Sequence, residues 1–203
     1  MELESIVRVL GGLLAYSTLG IVFYGIWCGT QRQAGRITGL MGHYLRSPRF
    51  YLVTSAIFFS VCFLGWVQVP MVISPQARIW MLAAGSLLYF PGMGLALWAR
   101  LALGKEYFVS TGLGAQVFAG QQLVTCGPFA IVRHPMYAGL ILAAIGSLFI
   151  YHTWTTLFLA CFAPFLIFRA RREETTLAAE FGEQWLKYCQ RVPAFLPRVG
   201  WKR

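Results

Sequence analysis

Two stretches of the 203-residue chain carry the residue types from which a reaction site can be built. The first is Gly127-Pro128-Phe129-Ala130-Ile131-Val132-Arg133-His134-Pro135-Met136-Tyr137-Ala138-Gly139. It turns at Gly127-Pro128 and presents Arg133 and His134 at the start of a long uncharged run, with Pro135 where a helix accepts proline in its first turn. A helix N-terminus gathers unpaired amides and a partial positive charge, which attracts anionic ligand groups. An interfacial arginine beside a capping histidine fits the same residues. The second stretch is Phe168-Arg169-Ala170-Arg171-Arg172-Glu173-Glu174-Thr175-Thr176-Leu177-Ala178-Ala179-Glu180-Phe181-Gly182. Arg169 and Glu173 lie one helical turn apart, and Leu177 and Phe181 continue their stripe, so this face turns toward protein. A surface ion pair is the plain alternative. Against it, Arg169 emerges at a membrane boundary, where a long charged side chain usually has a specific partner.

The elements that position these residues follow from composition. The chain is 58% hydrophobic and 12% charged, with a mean hydropathy of +0.62. A soluble domain of this length has too little interior for so many apolar side chains, and the apolar content excludes disorder. The five cysteines, at 28, 62, 126, 161 and 189, show no metal-ligand spacing, so no metal site is expected and the thiols read as structural. Residues 9–28, 50–73 and 79–99 lack any charge for about the 20 residues that a spanning helix needs. A fourth uncharged stretch, 135–168, is 34 residues long. One straight helix of that length would run roughly 51 Å, beyond a ~30 Å hydrocarbon core. Its middle, Tyr151-His152-Thr153-Trp154-Thr155-Thr156, suits a tight turn, so a hairpin of two helices is expected.

Charge placement gives the sidedness. With five spans, segments 29–49, 100–134 and 169–203 share one side and hold 15 of the 17 Lys and Arg residues, leaving Arg8 and Arg78 for the other. The positive-inside rule then places the N-terminus outside, and the C-terminus and active site at the cytoplasmic face. The net charge of +10 is thereby accounted for without nucleic acid. The first stretch follows Glu2, Glu4 and Arg8 rather than a basic region and reads as a retained anchor. The expected fold is an all-α integral membrane protein of about five transmembrane helices, the last two a hairpin, plus a cytoplasmic C-terminal helix that continues the fifth and ends at or near Gly182. It forms one membrane-embedded domain: 1–103 supplies three N-terminal spans, and 104–203 the loop, hairpin and C-terminal helix.

Three further features bear on the site. Pro91-Gly92-Met93-Gly94 predicts a kink or break in the third span, either simple bending with close helix packing or an opening at membrane depth. Residues 104–135 form a loop punctuated by Gly104, Gly112, Gly114, Gly120 and Gly127, without a G-x-G-x-x-G or Walker pattern. The tail 183–197 is amphipathic and then broken by proline, so it either lies on the membrane surface or folds back as a lid.

These residues together carry a resemblance. The pattern L-V-x-x-G-P-F…V-R-H-P-M-Y-x-G (123–139), followed by R-x-x-x-E-E-x-x-L-x-x-x-F-G-x-x-W-x-x-Y-x-x-R-V-P-x-x-x-P (169–197), resembles the isoprenylcysteine carboxyl methyltransferase family, which belongs with the membrane phospholipid N-methyltransferases. The resemblance covers roughly the C-terminal half. It implies an integral-membrane enzyme that uses S-adenosylmethionine without a Rossmann domain and acts on a lipophilic prenyl or lipid acceptor entering from the bilayer. By the same resemblance, the cofactor is held by Gln121, Gln122, Leu123, Val124 and Phe129, by His134, Pro135, Met136 and Tyr137, and by Glu173. Arg169 falls to the substrate, and Glu174 is a second catalytic candidate. Many relatives carry His in place of Gln121 and Tyr in place of Phe129.

An ionised carboxylate acceptor needs orientation rather than a base, which a bidentate Arg169 would supply. An amine acceptor needs a base, with Glu174 or His134 as nominees. Phospholipid N-methylation is the first alternative. An NADPH-dependent sterol-type membrane reductase, whose C-terminal segments also contain R-H-P-x-Y, is the second; Ala138-Gly139 and the R-x-x-x-E-E helix look like the transferase version. A non-catalytic assembly factor that keeps only the fold is the third.

Overall fold

Close approach of two helices decides the centre of the molecule. In the computed structural model, which describes residues 2–31, 34–38, 47–107, 110–111, 114–118 and 120–197, α3 (Pro75–Leu103) and α4 (Pro135–Tyr151) meet along a seam of small residues. Gly85, Gly92 and Ala96 of α3 face Gly139, Ala143 and Gly146 of α4. A Cβ added at Gly139 would stand 2.5 Å from the Gly92 carbonyl oxygen and 2.7 Å from the Ala96 amide nitrogen. One added at Gly146 would stand 2.5 Å from the Tyr89 nitrogen. Between apolar helices in lipid the hydrophobic effect supplies little attraction, so small residues that let backbones touch do the packing. Tyr89, Met93, Ala143 and Ile150 form the buried core beside this seam, with Val7 and Leu14 of α1 (Glu2–Thr30) against it. The Tyr89 hydroxyl donates to the Gly11 carbonyl at 2.7 Å, and the Tyr151 hydroxyl to that of Arg8 at 2.8 Å, which fastens α1 to the pair.

The seam answers the question posed by Pro91. Helix α3 continues through Pro91 to Leu103 without a break, so of the two alternatives the opening at membrane depth is not the one taken. Gly92 serves close packing instead.

The second uncharged stretch is helical only as α2 (Pro48–Leu64), which ends at Gly65. Beyond it the chain is clasped to the turn after α4. Val69 N–H donates to the His152 carbonyl at 2.8 Å, and the Trp154 and Thr155 amides donate to Val67 and Gly65. That turn falls inside the expected 151–156 segment. His152 takes a left-handed φ of 54°, and Thr153 with Thr156 forms a capping box that starts α5 (Trp154–Phe162). The fifth helix does not run straight on, as the sequence suggested. It stops at Ala163-Pro164, where proline lacks the amide a continuing helix needs, and α6 (Phe165–Phe181) leaves at an angle of 41°. Helix α6 ends at Gly182, as expected, where the backbone turns to a φ of 50° that glycine tolerates, and α7 (Glu183–Arg191) follows.

The fold is helical apart from one small sheet that the all-α expectation did not contain. Strands β1 (Ala34–Thr38), β2 (Ser110–Thr111) and β3 (Gly114–Phe118) pair antiparallel in the order β1-β3-β2. The glycine-punctuated loop is therefore partly strand, flanked by 3-10 turns at Gly104–Glu106 and Gly127–Ala130. Gly112 of that loop, parts of the basic segment 29–49, and residues 198–203 lie outside the described residues.

Among the described residues, α1 and α3 are each long and apolar enough to cross a bilayer, and the bent α5–α6 pair is a third candidate; α2 and α4 are apolar but shorter. Large side chains such as Leu13, Tyr16, Phe58, Phe63 and Leu87 stand exposed on these helices, which in a chain this apolar marks a surface turned to lipid. The chain is an integral membrane protein. The two isolated arginines meet at one end, where Arg8 and Arg78 pair with Glu4 at 2.7 and 3.1 Å and Arg8 Nε reaches the Ile150 carbonyl at 3.0 Å. That is the C-terminal end of α4. Arg133 and His134 stand at its opposite end.

Candidate active site

His134 occupies the N-cap position of α4, but its imidazole does not cap the helix. It turns instead to Glu174 of α6, with Nε2 at 2.9 Å from Oε1. Arg133 reaches the same oxygen through Nε at 3.1 Å and Nη2 at 2.8 Å. These bonds and the charges behind them pull the Glu174 carboxyl down to about 2, His134 contributing most and burial opposing. A carboxylate ionised to that depth only accepts, so His134 Nε2 donates the proton of this bond.

The cluster also binds the tail. Arg133 Nη1 donates to the Val192 carbonyl at 2.7 Å, and the Arg133 and His134 amides donate to Pro193 and Ala194 at 2.8 and 2.9 Å. The His134 ring stacks between Tyr137 and Phe195. Of the two arrangements open to the amphipathic tail, the chain takes the folded-back one. Trp185, Tyr188 and Val192 are buried with Leu177, and the Tyr188 hydroxyl donates to the Phe129 carbonyl at 2.6 Å.

What this strapping encloses is a pocket between the loop, α4, α6 and α7. Gln121, Gln122, Leu123, Val124, Phe129, His134, Met136, Tyr137, Arg169 and Glu173 all line it. Residues some 50 positions apart in the chain thus reach one cavity. The whole stripe Arg169, Glu173, Leu177 and Phe181 faces inward. Tyr137 Oη donates to Glu173 Oε2 at 2.7 Å, and the Arg169 guanidinium lies 5.5 Å from the Tyr137 ring centre. Two expected residues do not line the pocket. Pro135 is buried in the first turn of α4, and Glu174 is held in the ion cluster. With its carboxyl at about 2 and three donors on one oxygen, Glu174 is a strut between helices and a weak base.

Eight lining residues were not among the site candidates drawn from sequence: Leu103, Glu106 and Tyr107, which lie outside the quoted motifs, and Arg133, Leu177, Phe181, Trp185 and Tyr188, which lie inside them. Glu106 is buried, accepts the Gln122 amide at 3.0 Å through Oε2, and through its own carbonyl accepts Gln121 Nε2 at 2.9 Å. It is the single acid between positions 5 and 172, and that isolation was the signal available. Gln121, itself a lining residue, thereby ties the loop to the Glu106 backbone. Phe129 is buried and offers its carbonyl to Tyr188.

A helical membrane protein with a pocket of carboxylates and aromatic rings at one end of its bundle is the class that fold and site define. Residues 80–184, more than half of the chain, match the family model described as phospholipid methyltransferase. The chain belongs to the phospholipid methyltransferase family, within the group that includes the isoprenylcysteine O-methyltransferases. A protein-S-isoprenylcysteine O-methyltransferase of Schizosaccharomyces pombe is 34% identical over 79 residues, 38% of this chain and 34% of that protein. Protein-S-isoprenylcysteine O-methyltransferase B of Arabidopsis thaliana is 34% identical over 80 residues, covering 38% and 41%. A Delta(14)-sterol reductase of Mus musculus is 30% identical over 156 residues, covering 64% of this chain and 35% of that protein. The matches thus span between a third and two fifths of these relatives' lengths.

Proposed function

We propose that the protein is an S-adenosylmethionine-dependent methyltransferase that esterifies the carboxylate of a lipophilic, prenyl-type acceptor. The observation that carries this reading is the pocket itself, in which the 121–129 loop, the Arg133–Tyr137 motif and the Arg169–Glu173 face converge. The donor set suits the cofactor: Glu106 and Glu173 offer negative charge to a sulfonium and an ammonium, while Leu123, Val124, Phe129 and Tyr137 offer apolar and aromatic walls to an adenosine. When bound, that cofactor supplies an electrophilic methyl group. The chain's own residues do the rest. Glu173, oriented by Tyr137, balances the cofactor's positive charge, and Arg169 turns the acceptor carboxylate toward the methyl carbon. The carboxylate is already ionised at neutral pH, so no base is required. In this reading the bundle has five spans, the pocket faces the cytoplasm, and the acceptor arrives sideways from the bilayer.

The mouse sterol reductase, which aligns over more of this chain than the two transferases do, favours a second reading as an NADPH-dependent reductase. Calorimetry on the detergent-solubilised chain separates the two. S-adenosylhomocysteine is expected to bind saturably, and Glu173→Ala is expected to weaken it by about 10- to 100-fold, the scale of one hydrogen bond to a charged group. Binding of NADPH alone overturns the transferase reading. Arg169→Ala is expected to cut methyl transfer to a farnesylcysteine analogue by about 100-fold or more while cofactor affinity holds. Equal loss of both shows that Arg169 belongs to the cofactor instead. Base-stable label in phosphatidylethanolamine, rather than a base-labile ester, moves the acceptor to an amine.

A further inference from the structure

Arg100 stands near the end of α3, 6% exposed, and no carboxylate pairs with it among the described residues. Its fork is barely used. Nη1 reaches the Gly104 carbonyl at 3.3 Å, long for a charged bond, and Nε has no partner at all. A guanidinium taken out of water without an anion is costly to keep. The protein nonetheless holds it in place. The Tyr107 ring covers one face, 4.2 Å from the guanidinium carbon. Against the guanidinium also lies Gly25 of α1, where even a methyl group would overlap Nη2.

Tyr107 connects this buried cation to the pocket. It lines the cavity, and its phenol, raised mainly by burial, feels the opposing pull of both Arg169 and Arg100 and the push of Glu173. Tyr107 thus lies against Arg100 and lines the same cavity as Arg169. On the outer side the surroundings change character. Tyr24 and Trp27 beside Gly25, and Trp98 and Leu101 beside Arg100, are exposed aromatic and apolar groups turned to lipid.

We propose that Arg100 is a second anion-recognition residue for the acceptor, which with Arg169 receives the carboxylate of a lipophilic acid whose tail lies along the α1–α3 surface. This rests on the transferase reading for its reaction but not for its binding. The carboxylate takes the vacant Nε and the weakly used Nη1 once the Tyr107 ring swings off the guanidinium face. Arg100 thereby selects acids over uncharged or cationic head groups, and Gly25 is glycine because the guanidinium lies flat against α1.

The test uses the full chain in detergent, saturated with S-adenosylhomocysteine, and titrated with N-acetyl-S-farnesylcysteine and with its uncharged amide. The acid is expected to bind at least tenfold more tightly than the amide. In Arg100→Met the preference falls to within twofold, and in Arg100→Lys it is partly kept, while nucleotide affinity changes less than twofold in both. Gly25→Ala, which leaves the arginine present but displaced, is expected to lower the preference in the same direction and guards against a folding defect in the methionine variant. No preference in the wild type, or a preference that survives Arg100→Met, overturns the proposal. If the acid is preferred through Arg100 but never methylated, the transferase reading fails and the recognition site stands. If it is methylated equally well without Arg100, the reverse holds.

Discussion

Replacing Glu174 by glutamine is expected to destabilise the protein by about 3 kcal/mol and to weaken cofactor binding with it, the scale of breaking one partner out of a largely buried ion cluster. Glu174 alone answers both Arg133 and His134, whose side chains are only 13% and 4% exposed. Without that charge the guanidinium is left with neutral acceptors, the backbone carbonyls of Val192 and Cys189 among them. The loss then spreads, since Arg133 and His134 are the anchor to which Pro193 and Ala194 bond and the tail forms one wall of the pocket. The pH dependence provides a second check. The folded Glu174 carboxyl sits at about 2 against an ordinary 4.5, so the group is depressed on folding. A depressed acid contributes stability that is complete above its unfolded value and is lost as pH falls through its folded one. The difference in melting temperature between the wild type and Glu174→Gln should therefore be full at pH 6 and shrink between about pH 4.5 and 2. A difference that stays constant through that window would show that the cluster does not hold the tail.

The other large effect is expected at the α3–α4 seam. Gly139→Ala places a methyl group 2.5 Å from the Gly92 carbonyl oxygen and 2.7 Å from the Ala96 nitrogen, and neither is a side chain that can swing away. The helices must part, and the cost is expected to be about 3 kcal/mol or more. The functional consequence follows from position: Gly139 is two residues beyond Tyr137, so a displaced α4 carries His134, Met136 and Tyr137 out of register with α6. Gly94→Ala is the control. No atom lies within 4 Å of a Cβ there, and in a helix alanine is about 1 kcal/mol better than glycine, so stability should hold or rise slightly. Thermal unfolding in detergent measures both variants, and on the methyltransferase reading loss of S-adenosylhomocysteine binding follows it. A seam variant as stable as the control would mean that α3 and α4 do not rely on backbone contact.

How far the site could be read from the chain depended on the range of the interactions involved. Arg169, Glu173, Leu177 and Phe181 were legible as one face because helical spacing is a local property, and all four do face the pocket. The turn at 151–156 and the stop at Gly182 were legible for the same reason, since capping chemistry and glycine conformation act over a few residues. Pro91-Gly92-Met93-Gly94 left two outcomes open, because the effect of such a run depends on its neighbours: α3 is continuous and Gly92 packs against the α4 backbone, so close packing and not an opening is what the chain adopts. The sheet was invisible, as its strands β1 and β3 are short and lie some 80 residues apart. Glu174 was the least readable. Beside Glu173 it reads as a second candidate for the site, and only the folded chain brings Arg133 and His134 onto it and leaves its neighbour to the pocket.

By itself, then, the order of residues determined that the chain lives in lipid, roughly where its helical stretches lie, and which residues share a helical face. Each of these follows from side-chain hydropathy and from the 3.6-residue turn, quantities that a single segment carries alone. The tertiary structure decided which of two adjacent glutamates became a strut, that the tail folds back over the pocket, and that Arg100 stays buried against Gly25 and Tyr107, with no carboxylate paired to it among the described residues. Those outcomes turn on which charge meets which across distant segments, and that pairing exists only once the helices have packed.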